Sequence, residues 1–382
     1  MKSAGETYKL RLIPSGILYK DTPCLLGCGV VVDPKVLLGE IDSLRERGIP
    51  CENLRIDPRA QVIMPWHIVL DGLSEKARGG ADIGTTKCGI GPAYMDKVER
   101  CGLRIYDLIH PDVFAKKVPP VAQLKNKVIT KVYDGEAVDV NKVIAEYTEY
   151  GKRLAKYVAD VSVMAYNAIK EGKEVLFEGA QGALLDIDLG TYPYVTSSHP
   201  ITGGFCTGTG IGPNMLEEIV GAAKAYTTRV GKGPFPTELF DKTGDTIRNS
   251  GNEFGTVTKR PRRTGWFDAV ILRHAVRING LTAVALNKLD TLSGLPTLKV
   301  CNAYELPDGS TISDFPPTLE ELEKCKPVYT ELPGFAGDLS KCKSYDELPE
   351  NAKNYVVAIE KMIGCRIAMV GIGPDRVQNL ER

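Results

Sequence analysis

The stretch Asn287-Lys288-Leu289-Asp290 follows the apolar run from Thr282 to Leu286. A carboxylate at the mouth of a buried strand can accept two hydrogen bonds, one from the ring N–H and one from the exocyclic amine of guanine. The lysine stem would lie along the base, and adenine cannot offer that donor pair. A bidentate contact of this kind is worth about 1–3 kcal/mol of base discrimination, by analogy with groove readout. The plain alternative is a surface turn closing a strand. Val370-Gly371-Ile372-Gly373-Pro374-Asp375-Arg376 also follows a strand-like run. Its glycines would let backbone groups touch a base or sugar, although it too could be only a turn.

A second set of residues suits anions. Lys259-Arg260-Pro261-Arg262-Arg263 is the densest positive cluster, set within Gly255 to Trp266. Threonine hydroxyls and planar guanidinium forks there suit bidentate capture of carboxylates or phosphates. A solvated face or a nucleic-acid patch are the alternatives, and the absence of interleaved aromatics counts against the latter. Asp82-Ile-Gly-Thr-Thr86 and the segment from Gly89 to Arg100, which includes Lys97, combine glycines, hydroxyls and cations that could surround a phosphate. A Gly-rich turn before a helix would look the same. The loop Glu178-Gly-Ala-Gln-Gly182 and the stretch from Gly190 to Ser198 offer amide and hydroxyl groups suited to a purine and its ribose phosphate, or form tight structural loops.

Elements that would position these groups are legible. Asp33-Pro34, then Leu37, Leu38, Ile41 and Leu44, then Gly48, predict an amphipathic helix with an N-cap, a first-turn proline and a terminal glycine. Further helices are predicted near Asp139, over 161–172, 269–279 and 352–363. Strands are predicted over 174–177, 282–287 and 366–370. The repeated helix-to-strand order predicts an α/β fold around a mostly parallel sheet with flanking helices. The Gly/Pro-rich stretches 79–92, 190–213 and 231–265 are expected to be functional loops. Without a repeat or low-complexity tract, residues 1–382 are expected to be a single domain.

Composition bounds the partners. The chain has 382 residues, 43% hydrophobic and 25% charged, with 48 Lys+Arg balancing 48 Asp+Glu. No global field favours nucleic acid or an anionic membrane, so small molecules are the expected partners. The ten cysteines form no C-x-x-C pair and no zinc pattern, and they are expected to be reduced thiols in a cytoplasmic chain. No metal site is expected from them. No apolar run approaches the ~18–20 residues of a membrane span.

Together and in this order, the segments resemble the adenylosuccinate synthetase family, from about Gly5 through Leu12-Ile-Pro-Ser-Gly-Ile-Leu18 to Arg376. The resemblance implies a P-loop-NTPase-like α/β fold and a GTP-dependent ligation of IMP and L-aspartate to adenylosuccinate, in AMP biosynthesis. In that chemistry GTP phosphorylates the 6-oxygen of IMP, and the aspartate amine then displaces the phosphate. Gly89 to Arg100 matches a family signature whose lysine, here Lys97, is an active-site residue. By the same resemblance Thr86, Gln181, Thr196 and Arg260 contact IMP, and Arg100 reaches the IMP of the neighbouring subunit in a homodimer. Thr256, Val257, Thr258, Lys259, Arg260, Pro261 and Arg262 match the aspartate loop. Val257 and Lys259 depart from the commoner threonine and glycine. Arg262, with Lys288, Leu289, Asp290, Gly371, Ile372 and Gly373, is implied to hold GTP.

The resemblance also sets an expectation about the N-terminus. Upstream of the segment matching Gly5, the family carries a first strand, a Gly-rich phosphate loop with a general-base aspartate, and a Gly-His motif; both motifs help bind Mg2+. The chain is expected to lack this segment and its metal ligands, which puts its own turnover in question. His67, His110, His199 and His274 match no such motif. The competing readings are a catalytically dead GTP- and IMP-binding remnant and a regulatory GTP-binding protein.

Overall fold

In the computed structural model, which describes residues 2–3, 6–255 and 261–382, the helix expected after Asp33 runs Pro34–Glu46 (α1). Asp33 Oδ1 accepts the backbone N–H groups of Lys35 at 2.9 Å and Val36 at 3.2 Å, filling donors that the first helical turn leaves open. The chain leaves the helix through Gly48 at φ +80°, a left-handed conformation that glycine adopts without strain. Gly5 and residues Thr256, Val257, Thr258, Lys259 and Arg260 lie outside the described residues.

Two compact units are present, Met1–Gln181 with Thr196–Met215, and Gly182–Val195 with Leu216–Arg382. In the first unit, Leu37, Leu38, Ile41 and Leu44 of α1 pack into a core with Ile56, Val62, Trp66 and Phe114. Each fully buried side chain of this size contributes about 1.5–3 kcal/mol. This core carries two helices that matter for chemistry, Pro65–Ala77 (α2) and Ile90–Glu99 (α3). The helices predicted near Asp139 and over 161–172 form as Val140–Leu154 and Val161–Lys170, capped by Asp139 and Asp160. The strand predicted over 174–177 does not form. Those residues are irregular and Leu176 is 87% exposed, so three apolar residues without a neighbouring strand were not enough to make one.

The second unit holds a four-stranded sheet in which Val220–Lys224 (β1), Ala283–Asn287 (β2) and Ile367–Gly371 (β3) are parallel and Asn379–Glu381 (β4) is an antiparallel edge, in the order β4-β3-β2-β1. Helices Ala269–Asn279 and Glu350–Ile363 precede β2 and β3, giving the predicted alternation. Val284, Leu286, Val356, Ile359, Ile367 and Val370 share its core, and the nearly continuous apolar sequence of β2 reflects burial of both sheet faces. Asn287 is in register with Lys224, and Leu286 with Val370. The carboxyl ends of three parallel strands therefore lie side by side, the edge at which open α/β sheets bind ligands. Asp241 caps a further helix, Lys242–Ser250, inside the stretch predicted as loop.

Candidate active site

At the carboxyl end of β2 the backbone turns through Lys288, at φ +62°, into a short helical turn, Leu289–Leu292. Leu289 is fully buried and anchors this turn. Asp290 is held half-buried above it, and its Oδ1 is inaccessible to solvent and has no hydrogen-bond partner among the described residues. Burial pushes the Asp290 carboxyl above its ordinary pKa of 3.8, against the pull of backbone N–H groups and of Lys288. A buried acceptor without a donor costs about 1–3 kcal/mol, a cost that a ligand carrying N–H groups would remove.

The adjacent strand end supplies a bare backbone. A Cβ on Gly371 would sit 2.7 Å from Asn287 Oδ1 and 3.1 Å from Asn287 Cα, so only glycine lets β3 finish this close to the turn. Ile372 is buried and its N–H donates to the Gln378 carbonyl at 2.9 Å. Gly373 follows, against the flexible end of Gln378. The fold thus brings Lys288, Leu289 and Asp290 beside Gly371, Ile372 and Gly373.

Beneath this turn lies Glu253, fully buried, which sequence reasoning missed. Its Oε1 accepts Lys224 Nζ at 2.8 Å and the Tyr226 hydroxyl at 2.7 Å, with Lys288 Nζ at 3.4 Å, and its Oε2 accepts Arg262 Nη1 at 2.7 Å. Burial works against the charged carboxylate, but these donors and cations prevail and draw its pKa down to about 2. Burial and the neighbouring cations lower the Lys224 pKa despite its bond to Glu253. Pro261 is exposed. Arg262 Nε is buried without a partner among the described residues, a second unsatisfied group in this unit.

In the first unit, α2 presents three buried polar residues at fourfold spacing, His67, Asp71 and Glu75, which line one helical face. Met64 N–H donates to His67 Nδ1 at 3.0 Å, so the ring proton sits on Nε2 and donates to Asp96 Oδ2 of α3 at 2.9 Å. Burial lowers the His67 pKa, consistent with a neutral ring. Gly89 N–H donates to Asp71 Oδ2 at 2.9 Å, and Gly84 and Thr85 N–H donate to Glu75 Oε1 at 2.5 and 3.0 Å. One helix face therefore fixes the loop that carries Thr86 and the start and middle of α3. The 67/71/75 spacing was the available sequence signal.

Of the sequence-predicted residues of this unit, Thr86, Lys97, Arg100 and the Thr196 segment lie on or next to α3. Thr86 and Lys97 are exposed on either side of its start and last turn, and Arg100 ends the helix at φ +68°. Lys97 Nζ lies 5.6 Å from the Tyr94 ring centroid. The Tyr94 hydroxyl bonds the Gly29 carbonyl at 2.7 Å and also Ser198, bringing the Thr196 segment to α3. Gln181 is exposed in its loop at φ +73°. Its loop is tied down where Glu178 Oε2 accepts the Ser15 N–H and hydroxyl at 3.0 and 2.8 Å.

Asp96, Glu99 and Cys101 could be taken for metal ligands, since their ligating atoms lie within 4.8 Å of one another. They do not fit Mg2+, which prefers an all-oxygen octahedral shell. Lys125 Nζ already occupies the site, 2.5 Å from Asp96 Oδ1 and 3.1 Å from Glu99 Oε2. All ten cysteines are free. Among the described residues no helix is long and apolar enough to cross a membrane.

A family model described as adenylosuccinate synthetase matches residues 1–380. The chain is 53% identical over 378 residues to an adenylosuccinate synthetase of Enterococcus faecalis, covering 99% of this chain and 88% of the relative. It is 54% identical over 374 residues to that of Lactiplantibacillus plantarum, covering 98% and 87%. The solved structure of fully ligated adenylosuccinate synthetase from Plasmodium falciparum superposes with a TM-score of 0.93 at 37% identity, covering 99% of this chain and 89% of that one. These comparisons do not bear out the expectation of a missing N-terminal segment.

Proposed function

From the premise that the chain belongs to the adenylosuccinate synthetase family, we propose that the strand-end cluster of its second unit takes GTP and that the α3 cluster of its first unit takes IMP. The reaction is the GTP-dependent ligation of IMP and L-aspartate to adenylosuccinate, GDP and phosphate, a step of purine and AMP biosynthesis. Residues 1–382 are assigned to one adenylosuccinate synthetase-like domain.

The observation that carries the GTP assignment is the buried, unpartnered Asp290 Oδ1 at the carboxyl end of β2. Guanine N1–H and its amine would meet the two carboxylate oxygens, one of which, Oδ1, has no donor among the described residues. Lys288 and Leu289 flank the base, the backbone of Gly371, Ile372 and Gly373 borders it, and Arg262, whose Nε has no partner among the described residues, faces the nucleotide. Thr256, Val257, Thr258, Lys259, Arg260, Pro261 and Arg262 form the aspartate loop by family pattern, with Arg260 also on IMP. Calorimetric titration with GTP and with ATP tests the base assignment: GTP should bind at least tenfold more tightly, and equal affinity would refute it.

On the other unit, Thr86, Gln181 and Thr196 contact IMP, and the Lys97 ammonium stabilises charge on the transferring phosphoryl group. The family uses Mg2+. The acidic cluster described above does not hold it, and no step is drawn through the metal. Ten free thiols support a cytoplasmic enzyme.

The homodimer reading is supported by α3 itself, where Met95 and Val98 are 70% and 79% exposed beside Arg100. An apolar strip next to a cation suits a second copy that receives the cation on its bound phosphate. Charge-assisted bonds of this kind are worth about 1.5–3 kcal/mol. Arg100→Leu should therefore raise the KM for IMP about tenfold or more with little change in the KM for GTP. Steady-state kinetics varying each substrate would check it, and an unchanged KM for IMP would remove Arg100 from the site.

A further inference from the structure

We infer that Glu253 is a positioning residue for guanine-nucleotide binding, which it serves by holding Lys288 and Arg262 in place from below; this rests on the GTP assignment made above. The geometry is that of a hub. A single fully buried carboxylate receives Lys224, Lys288, Arg262 and Tyr226, and its backbone also takes part, since Arg262 N–H donates to the Glu253 carbonyl at 2.9 Å. Arg248 Nε completes the support from the next helix, donating to the Arg262 carbonyl at 3.0 Å.

Two consequences follow for the groups above the hub. Lys288 Nζ is tethered to Glu253 and to the Gly251 carbonyl, which fixes the end of its side chain next to the Asp290 turn. Arg262 donates to Glu253 through Nη1, and its Nε has no partner among the described residues. Three cations, Lys224, Lys288 and Arg262, against two carboxylates, Glu253 and Asp290, also leave the cluster with surplus positive charge among the described residues. Glu253 is thus close enough to order the cations yet cannot neutralise them, and the surplus remains available to a polyanion. Without it, Lys224, Lys288 and Arg262 would repel one another and separate.

Glu253 touches no substrate in this reading, so the test separates positioning from stability. Steady-state kinetics and thermal melting are measured for Glu253→Gln, which preserves size but removes the charge, and for Glu253→Asp, which keeps the charge but draws the carboxylate back. Glu253→Gln should raise the KM for GTP about tenfold or more, while the KM for IMP stays within about twofold. Glu253→Asp should recover part of the GTP affinity. A residue of merely structural importance would lower the melting midpoint and the active fraction without this split between substrates. An unchanged KM for GTP in either folded variant overturns the proposal, and Glu253→Asp alone decides it if Glu253→Gln does not fold. Asp290→Asn, run in parallel, keeps the two readings apart. If it loses base preference while the Glu253 variants bind GTP normally, only the positioning role falls. If it keeps base preference, the underlying GTP assignment falls.

Discussion

Asp290→Asn is expected to lower kcat/KM for GTP by roughly 10- to 100-fold and to collapse the preference for GTP over ATP, the size of a lost bidentate base contact of about 1–3 kcal/mol. The carboxylate presents two acceptors toward guanine, whereas the amide presents one acceptor and one donor, which sets an N–H against the N–H groups of the base. Xanthine carries an oxygen where guanine carries its amine, so XTP should become the better substrate for the variant. The stability effect has the opposite sign. Burial raises the Asp290 carboxyl above its ordinary 3.8, so ionising it costs the ligand-free fold stability as pH rises through and above that value. The neutral amide escapes this cost, and the variant should melt no lower than the parent at neutral pH. Undiminished discrimination between GTP and ATP would remove Asp290 from the base site.

The second large effect is expected at Lys97. Lys97→Met should reduce kcat by about 10²- to 10³-fold, the usual consequence of removing one preorganised group that stabilises transition-state charge. Its helix is pinned by the Gly89–Asp71 bond and the His67–Asp96–Lys125 chain, so the side chain can be removed without moving its support. Lys97 is exposed, and the melting temperature should hardly change. Lys97→Arg should restore a fraction of kcat, because the charge returns in a different shape. A kcat within threefold of the parent for Lys97→Met, at saturating substrates, would show that this ammonium takes no part in the chemistry.

What the sequence made legible was local. Asp33 was readable as a cap because a cap acts on backbone a few residues away, while the caps Asp139 and Asp160 emerged only with the structure; β2 and β3 were readable as continuous apolar runs. The Asn287-to-Asp290 turn announced itself by chemistry and lands at the end of β2 as expected. Residues 174–177 failed because three apolar residues do not provide a strand to pair with. Glu253 was invisible for a different reason, since its partners Lys224 and Arg262 lie 29 and 9 residues away and meet only once β1 and the basic loop are in place. The stripe His67, Asp71 and Glu75 had a readable period, yet polar residues at fourfold spacing usually mark a solvated face. Here Asp71 and Glu75 are buried because the loop before α3 brings them its backbone N–H groups, and His67 is paired with Met64 N–H and Asp96. Of the aspartate loop, only Pro261 and Arg262 belong to the described residues.

The most direct test is formation of adenylosuccinate by the chain from IMP, L-aspartate and Mg2+ with GTP, and again with ATP replacing it. The account predicts adenylosuccinate in step with GDP and phosphate when GTP is supplied, and at least tenfold less with ATP. No adenylosuccinate with GTP, or equal formation with the two nucleotides, would contradict it.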